Sequence, residues 1–306
     1  MKVLITGGAG FIGSHLVDAL VADSHQVIVI DNLSTGNIDN IKSSTSFYKE
    51  DITNSYIIKK MFDKHHFDYV FHLAAQINLR HSIKEPTFDA HTNIVGSLNI
   101  IENCIRTKVK KLIFSSTGGA IYSPTATLPW DEQSETNPQS PYGLAKQTVE
   151  KYLQLYSLPF VALRYSNVFG ERQNSKGEAG VISIFIEKAL RNDDLIIFGD
   201  GSQTRDFIDV HSVVQANLLA MELEGTYNVS SNTQISVNEI ADMILKKTNS
   251  QSQIIHANPI AGELLHTRLS SEKISTKGWK LAQSMEVGIE KTIEYFQMIY
   301  GRQEVS

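Results

Sequence analysis

The chain has a single cysteine, Cys104, among 306 residues, so it cannot close a disulfide within itself. A reducing compartment is expected. No run approaches 18 apolar residues, and no membrane span is expected. Tryptophan is scarce, and Trp130 and Trp279 are expected to pack rather than to stack on bases. Neither charge sign dominates: 28 Lys and Arg face 33 Asp and Glu, for a net charge of −5. That balance gives no reason to expect nucleic acid or an anionic membrane as a partner. The ten histidines show no HExxH-like ligand spacing, so no metal is expected. There is no low-complexity tract and no internal repeat. Glycines break the N-terminal apolar run of MKVLITGGAGFIG, which reads as strand and turn rather than a signal peptide. A cytoplasmic protein is the expectation.

Hydrophobic residues make up 42% of the chain, enough for a large core. KVLIT (2–6), HQVIVI (25–30), TSFYK (45–49), YVFHLA (69–74), KLIFSS (111–116), FVALRYS (160–166) and TYNVS (226–230) read as strands. Helical spacing fills 12–22, 93–105 and 141–157. Strands alternating with helices imply parallel pairing with right-handed crossovers. The expected fold is α/β: a Rossmann-like, doubly wound parallel sheet of about seven strands with a smaller C-terminal lobe. Residues 1–167 plus about 201–249 are assigned to the sheet domain, and about 168–200 plus 250–306 to the smaller lobe. The tail after about residue 250 shows no strand–helix alternation.

GGAGFIG (7–13) lies between the first strand and the first helix. Gly7, Gly8, Gly10 and Gly13 there permit a tight turn and close backbone approach to a pyrophosphate. Asp31 ends the second strand, 18 residues past Gly13. A carboxylate at that point accepts from both ribose hydroxyls and repels a 2′-phosphate, which favours NAD over NADP.

Tyr-x-x-x-Lys occurs twice, as Tyr56–Lys60 and as Tyr142–Lys146 in SPYGLAK. The first pair has no polar partner that the sequence can name and reads as a surface face. The second opens the helix after strand five, whose end, SST (115–117), lies where ligands bind in open α/β sheets. The spacing puts Tyr142 and Lys146 on one helix face. A nearby ammonium favours the phenolate, which can take a proton from a sugar hydroxyl as hydride leaves its carbon. Thr117 would hold that hydroxyl, with Ser116 as the alternative.

These pieces resemble the extended short-chain dehydrogenase/reductases, within the NAD-dependent nucleotide-sugar epimerase/dehydratase family. The resemblance runs through GGAGFIG, DNLSTG (31–36), DI (51–52), HLAAQ (72–76), NIVGSLN (93–99), SSTGGAIY (115–122), SPYGLAK, LRYSNVFGERQ (163–173) and IFGDGSQTRDFIDV (197–210). It implies that Phe11 and Ile12 approach the pyrophosphate, with Gly7, Gly10 and Gly13. Asp31 and Asn32 would bind the adenosine ribose, Asp51 and Ile52 the adenine region, and Ser34 and Gly36 would also contact the cofactor. Leu73, Ala74, Gln76, Asn93 and Ser115 would line the cofactor. Lys146 would hold the nicotinamide ribose, with Tyr142 and Tyr165 near the nicotinamide. Asn167, Phe198 and Arg205 would take the nucleotide-diphosphate half of the substrate, and Glu263 and Thr267 would also bind substrate.

The family runs several reactions from hydride abstraction at C4. Its 4,6-dehydratases carry an Asp-Glu pair after the strand-five threonine, where this chain has Gly118 and Gly119. The decarboxylases usually carry a Glu there, and the reductases prefer NADPH. The resemblance therefore implies 4-epimerisation of a UDP-hexose, closest to UDP-glucose 4-epimerase. Ile260 stands where the family often has a diphosphate-binding arginine, and Ser123 where glycine is usual. Thr267 occupies a position that closes the hexose pocket, and its small size implies room for an N-acetyl group. Helices 93–105 and 141–157 often form a dimer interface in this family, so a homodimer is expected.

Overall fold

The structure, a computed structural model, describes residues 1–175, 180–260 and 264–303. Six apolar segments become β1 (Lys2–Thr6), β2 (Gln26–Asp31), β3 (Ser46–Lys49), β4 (Tyr69–His72), β5 (Lys111–Thr117) and β6 (Phe160–Tyr165). Gly225–Val229 adds an edge strand beside β6. All seven run parallel, in the order Gly225–Val229, β6, β5, β4, β1, β2, β3. The chain winds outward from β1 through β2 to β3, then returns to build the other side from β4. The switch point between β1 and β4 is where such sheets open a ligand crevice.

Side chains alternate along each strand, so β1 feeds two cores. Val3 and Ile5 pack with Leu16, Leu20, Val213 and Ala216, from the helices Phe11–Ala22 and Val210–Ala220. Leu4 packs on the other face with Ile58, Phe62, Ile100, Ile101 and Val149, from the helices Ser55–His65, Gly96–Arg106 and Pro141–Leu155. Burial on both faces explains why the strands read as unbroken apolar runs.

A third core belongs to the smaller lobe. It joins Phe185 and Ile186 of helix Val181–Leu190, Ile240 and Ile244 of helix Val237–Thr248, and Ile289, Ile293 and Phe296 of helix Met285–Gln303. This departs from the expected division at two places. Helix Val237–Thr248, inside the expected 201–249 segment of the sheet domain, packs here because its apolar stripe meets helix Val181–Leu190. Ile274 and Trp279, inside the expected 250–306 lobe, pack instead on the sheet. The tail also holds a strand, Ile254–Ala257, paired in parallel with Leu195–Phe198. Four residues paired to a segment so distant in sequence leave little periodicity to read.

The helix expected at 93–105 starts earlier. Pro86–Ala90 leads through a wide π turn, His91–Val95, into Gly96–Arg106. Wide turns of this kind often mark functional sites, and Asn93 sits in this one.

Candidate active site

The glycine loop closes on itself and on β4. Gly7 has φ +73°, and a Cβ there would lie 2.6 Å from the Ala74 nitrogen. A Cβ on Gly13 would lie 2.1 Å from the Gly7 carbonyl oxygen. Only glycine tolerates either place, so the helix Phe11–Ala22 starts tight against the sheet. Its N-cap, Gly10, has no side chain to take the first-turn amides. Uncapped amides at a helix N-terminus, those of Phe11 and Ile12 among them, suit a diphosphate.

Asp31 is buried and holds this loop. Its carboxylate accepts from the Ala9 amide at 2.9 Å and from the Leu33 amide at 2.8 Å. Lone pairs remain on both oxygens for ribose hydroxyls, and the charge repels a 2′-phosphate. The segment after β2 folds over Ala9: Gly36 packs on it, and Asn37 and Asn40 donate to its carbonyl. Asn32 donates to Asp51 at 2.8 Å and accepts from the Ser34 amide. Burial raises the Asp51 pKa, but bonds from Thr53 and Asn32 outweigh it and leave the carboxyl below its usual range. Ile52 is buried against Gly96. Cradle, carboxylate and uncapped amides together fit an NAD molecule.

The ends of β4 and the wide turn are clasped together. The Gln76 amide donates to Asn93 Oδ1 at 2.8 Å, and Asn93 Nδ2 donates to the Gln76 carbonyl at 2.9 Å. Below them, Thr6 and Ser97 flank His72, at 2.7 Å from Nδ1 and 2.9 Å from Nε2. Ser97 donates onward to the Asn93 carbonyl. His72 is therefore a donor through Nε2 and an acceptor through Nδ1. Burial pushes its pKa down to about 3, so it stays neutral. Thr6 also receives the Ala74 amide, which fixes the stretch through Leu73 and Ala74.

Ser140 caps the helix Pro141–Leu155 by accepting from the Gly143 amide, and Pro141 starts it. These two residues put Tyr142 and Lys146 in its first turns, at the C-terminal end of β5. Lys146 is buried, and its Nζ donates to the Ser115 carbonyl at 2.8 Å. It also lies 4.9 Å from the Phe114 ring centre and 5.9 Å from that of Tyr142. Burial pushes the Tyr142 pKa up to about 12, Asp89 adds to this, and Thr117 acts against it. Thr117 pairs across the sheet with Tyr165, whose ring lies in the first core and whose hydroxyl exchanges hydrogen bonds with Asn217.

Ser116 and Thr117 face opposite ways, as neighbours on a strand must. Ser116 donates to the buried Glu150 at 2.5 Å. Glu150 is gripped by Arg164 through Nε and Nη2, and Arg164 Nη1 donates to the Tyr122 hydroxyl at 3.0 Å. Tyr122 donates on to Asn228 at 2.6 Å. Ser116 is thus committed to Glu150, while Thr117 bonds to Tyr142. Sequence reasoning missed this network, although Glu150 extends the Tyr142–Lys146 stripe by one more i, i+4 step.

Phe198, exposed at the end of its strand, lines a cavity of about 690 Å³ with Gln203, His256, Ile260 and Leu265. Arg205 donates to the carbonyls of Thr204 and Leu265. The Asn167 amide donates to the carbonyl of Asp206. Asp206, also missed, accepts from the Leu269 amide and from Ser231. It thereby ties the segment carrying Thr267 and Leu269 to the sheet. Thr267 is buried and its hydroxyl has no partner among the described residues. Glu263 lies outside the described residues. Among the described residues, no group of three His, Cys, Asp or Glu is placed to hold a metal, and no helix is long and apolar enough to cross a membrane.

Residues 3–230 match the NAD dependent epimerase/dehydratase family. A putative UDP-glucose 4-epimerase of Methanocaldococcus jannaschii is 42% identical over 300 residues, 96% of this chain and 98% of that protein. The crystal structure of a UDP-glucose 4-epimerase with UDP-glucose from Thermotoga maritima matches with a TM-score of 0.96 at 42% identity, covering 98% of this chain and all of that one. A UDP-N-acetylglucosamine 4-epimerase from Methanobrevibacter ruminantium, in complex with UDP-N-acetylmuramic acid, matches with a TM-score of 0.92 at 34% identity, over 97% and 98% of the two chains. This chain belongs to the NAD dependent epimerase/dehydratase family.

Proposed function

We propose that the protein is an NAD-dependent UDP-hexose 4-epimerase that interconverts UDP-glucose and UDP-galactose through a transient 4-keto sugar. The observation that carries this is the placement of Tyr142 and Lys146 on one buried helix face beside Thr117. Bound NAD supplies the acceptor that takes the C4 hydride and later gives it back. Asp31, Asn32 and Asp51 hold its adenosine end, the glycine loop its diphosphate, and Lys146 its second ribose. Tyr142 takes the proton of the C4 hydroxyl as a phenolate, and Thr117 holds that oxygen. The ammonium of Lys146 favours the phenolate by charge. After the sugar turns over and presents the other face of C4, Tyr142 returns the proton to the C4 oxygen.

The Gly118–Gly119 loop supports epimerisation over dehydration. It carries no acid or base, and a Cβ on Gly118 would lie 2.2 Å from Leu269 Cδ1. The cavity beside Phe198, together with Arg205 and Asn167, suits the uridine diphosphate half, and Glu263 is assigned to substrate binding by its sequence. Thr267 is buried two residues before Leu269, which meets the Gly118 position, and its small side chain leaves space for an N-acetyl sugar. Val95, Leu144 and Leu155 are exposed on the two helices expected to pair, which supports a homodimer. The protein would work in the cytoplasm and without a metal.

The test is a substrate panel read by NMR. UDP-galactose and UDP-glucose should equilibrate with no net reduced cofactor, and UDP-GalNAc should react within about tenfold of UDP-galactose in kcat/KM. A 4-keto-6-deoxy product would make the enzyme a dehydratase. A rate for UDP-GalNAc at least about 100-fold lower would show a closed pocket.

A further inference from the structure

Residues 265–269 connect two parts of the candidate site. Leu265 lines the cavity beside Phe198. Leu269 is buried against Gly118, the residue after Thr117. Different groups hold the two ends. At the cavity end, the Thr204 amide donates to the Leu265 carbonyl at 2.8 Å, and the Thr267 amide donates to the Thr204 carbonyl at 3.2 Å. At the other end, both backbone groups of Leu269 are taken. Its amide donates to Asp206 Oδ2 at 3.1 Å, and its carbonyl accepts from Ser230 Oγ at 3.0 Å. Trp130 brackets it: the Trp130 amide donates to the Arg268 carbonyl at 2.9 Å, and the Ser270 amide donates to the Trp130 carbonyl at 2.8 Å.

Asp206 is 2% exposed, and donors meet both of its carboxylate oxygens. Opposite the Leu269 amide, Oδ1 accepts from the Ser231 amide at 3.0 Å and from the Ser231 hydroxyl at 2.9 Å. A carboxylate accepts on both sides, whereas an asparagine side chain accepts on one and donates from the other. Asparagine here would keep its oxygen toward Ser231, which brings two donors. Its NH₂ would then face the Leu269 N–H, and that amide would be left buried without an acceptor. The anchor at Thr204 would be untouched.

We propose that Asp206 is a positioning residue that fixes Leu269 and, through it, the wall of the hexose site next to Thr117. This rests on reading Thr117 and Tyr142 as the groups that meet the C4 oxygen of the sugar. A UDP-hexose whose nucleotide lies beside Phe198 must bring its C4 to Thr117, and residues 265–269 join the same two places. Thr204 anchors the nucleotide end of that segment, and Asp206 with Ser230 anchors the sugar end. Asp206 meets neither substrate nor cofactor. Its effect passes from the Leu269 backbone to the Leu269 side chain, which packs on Gly118 and so sets the end of the strand that carries Thr117.

Asp206→Asn in the NAD-loaded enzyme separates the two ends. Its kcat for UDP-galactose should fall about ten- to a hundredfold, as misplacement of a reacting group does, while its Kd for UDP, measured by calorimetry, stays unchanged. An unchanged kcat, or a loss of UDP affinity in the same proportion as kcat, would overturn the proposal. Ser230→Ala removes the other bond to Leu269 and should give the same split to a smaller degree. It carries the test should Asp206→Asn not fold. Amide hydrogen exchange gives a second readout that needs no turnover. In either variant the Leu269 amide should exchange faster than in the unmutated protein, and the Thr267 amide should exchange as slowly as before. A Leu269 amide equally protected in variant and unmutated protein would overturn the proposal. An unmutated enzyme that epimerises no UDP-hexose would fail the assignment of function, and the exchange pattern would still decide whether Asp206 holds this wall.

Discussion

Tyr56 and Lys60 stand four residues apart on a helix, as do Tyr142 and Lys146, yet their surroundings have nothing in common. Tyr56 is 63% exposed, and Lys60 lies over its ring at 4.3 Å in open solvent. Lys146 is 4% exposed and fixed on a backbone carbonyl, with Tyr142 beside a strand-end hydroxyl. The first pair stays in water. In the second, burial moves both groups far from their usual ionisation, and Asp89, Glu150 and Thr117 set how far. The spacing supplies only a shared helix face; the strand end and the buried charges supply the chemistry.

The largest expected break of this comparison is Tyr142→Phe. It keeps the ring, removes the acid/base oxygen, and should lower turnover on the order of 10²–10⁴ with NAD retained. Tyr56→Phe should leave turnover unchanged. Equal behaviour of the two variants in steady-state kinetics would remove the distinction between the pairs.

A smaller contrast lies within β5. Thr117→Val removes a hydrogen bond to a charged oxygen, so turnover should fall roughly ten- to a hundredfold. Ser116→Ala should act on folding instead. It takes a donor from the buried Glu150, costing about 1–3 kcal/mol in denaturant unfolding and far less in turnover. The reverse ranking of the two variants in turnover would make Ser116 the catalytic hydroxyl.

The glycine loop and Asp31 are legible in the sequence because their requirements are local: a tight turn, a helix start, a strand end. The Tyr142–Lys146 pair is legible once strand five is placed before it. The choice between Thr117 and Ser116 is not, because it depends on Arg164 and Glu150, which meet across a strand and a helix. Asp89 is hidden for the same reason. Its i, i+4 relation to Asn93 is visible, but its burial depends on how two helices pack. The parallel, doubly wound sheet follows from the alternation of strands and helices. The smaller lobe does not, since Leu195–Phe198 and Ile254–Ala257 pair across nearly sixty residues with no pattern of their own.

The central claim is that the buried pair serves a hydride that leaves C4 and returns to it without meeting water. UDP-galactose deuterated at C4, incubated with the NAD-loaded enzyme in ordinary water, tests this most directly. The UDP-glucose formed should keep its deuterium at C4, with no net reduced cofactor accumulating. Loss of the label to water would mean that the C4 hydrogen leaves as a proton, and the mechanism assigned to Tyr142 and Lys146 would be wrong.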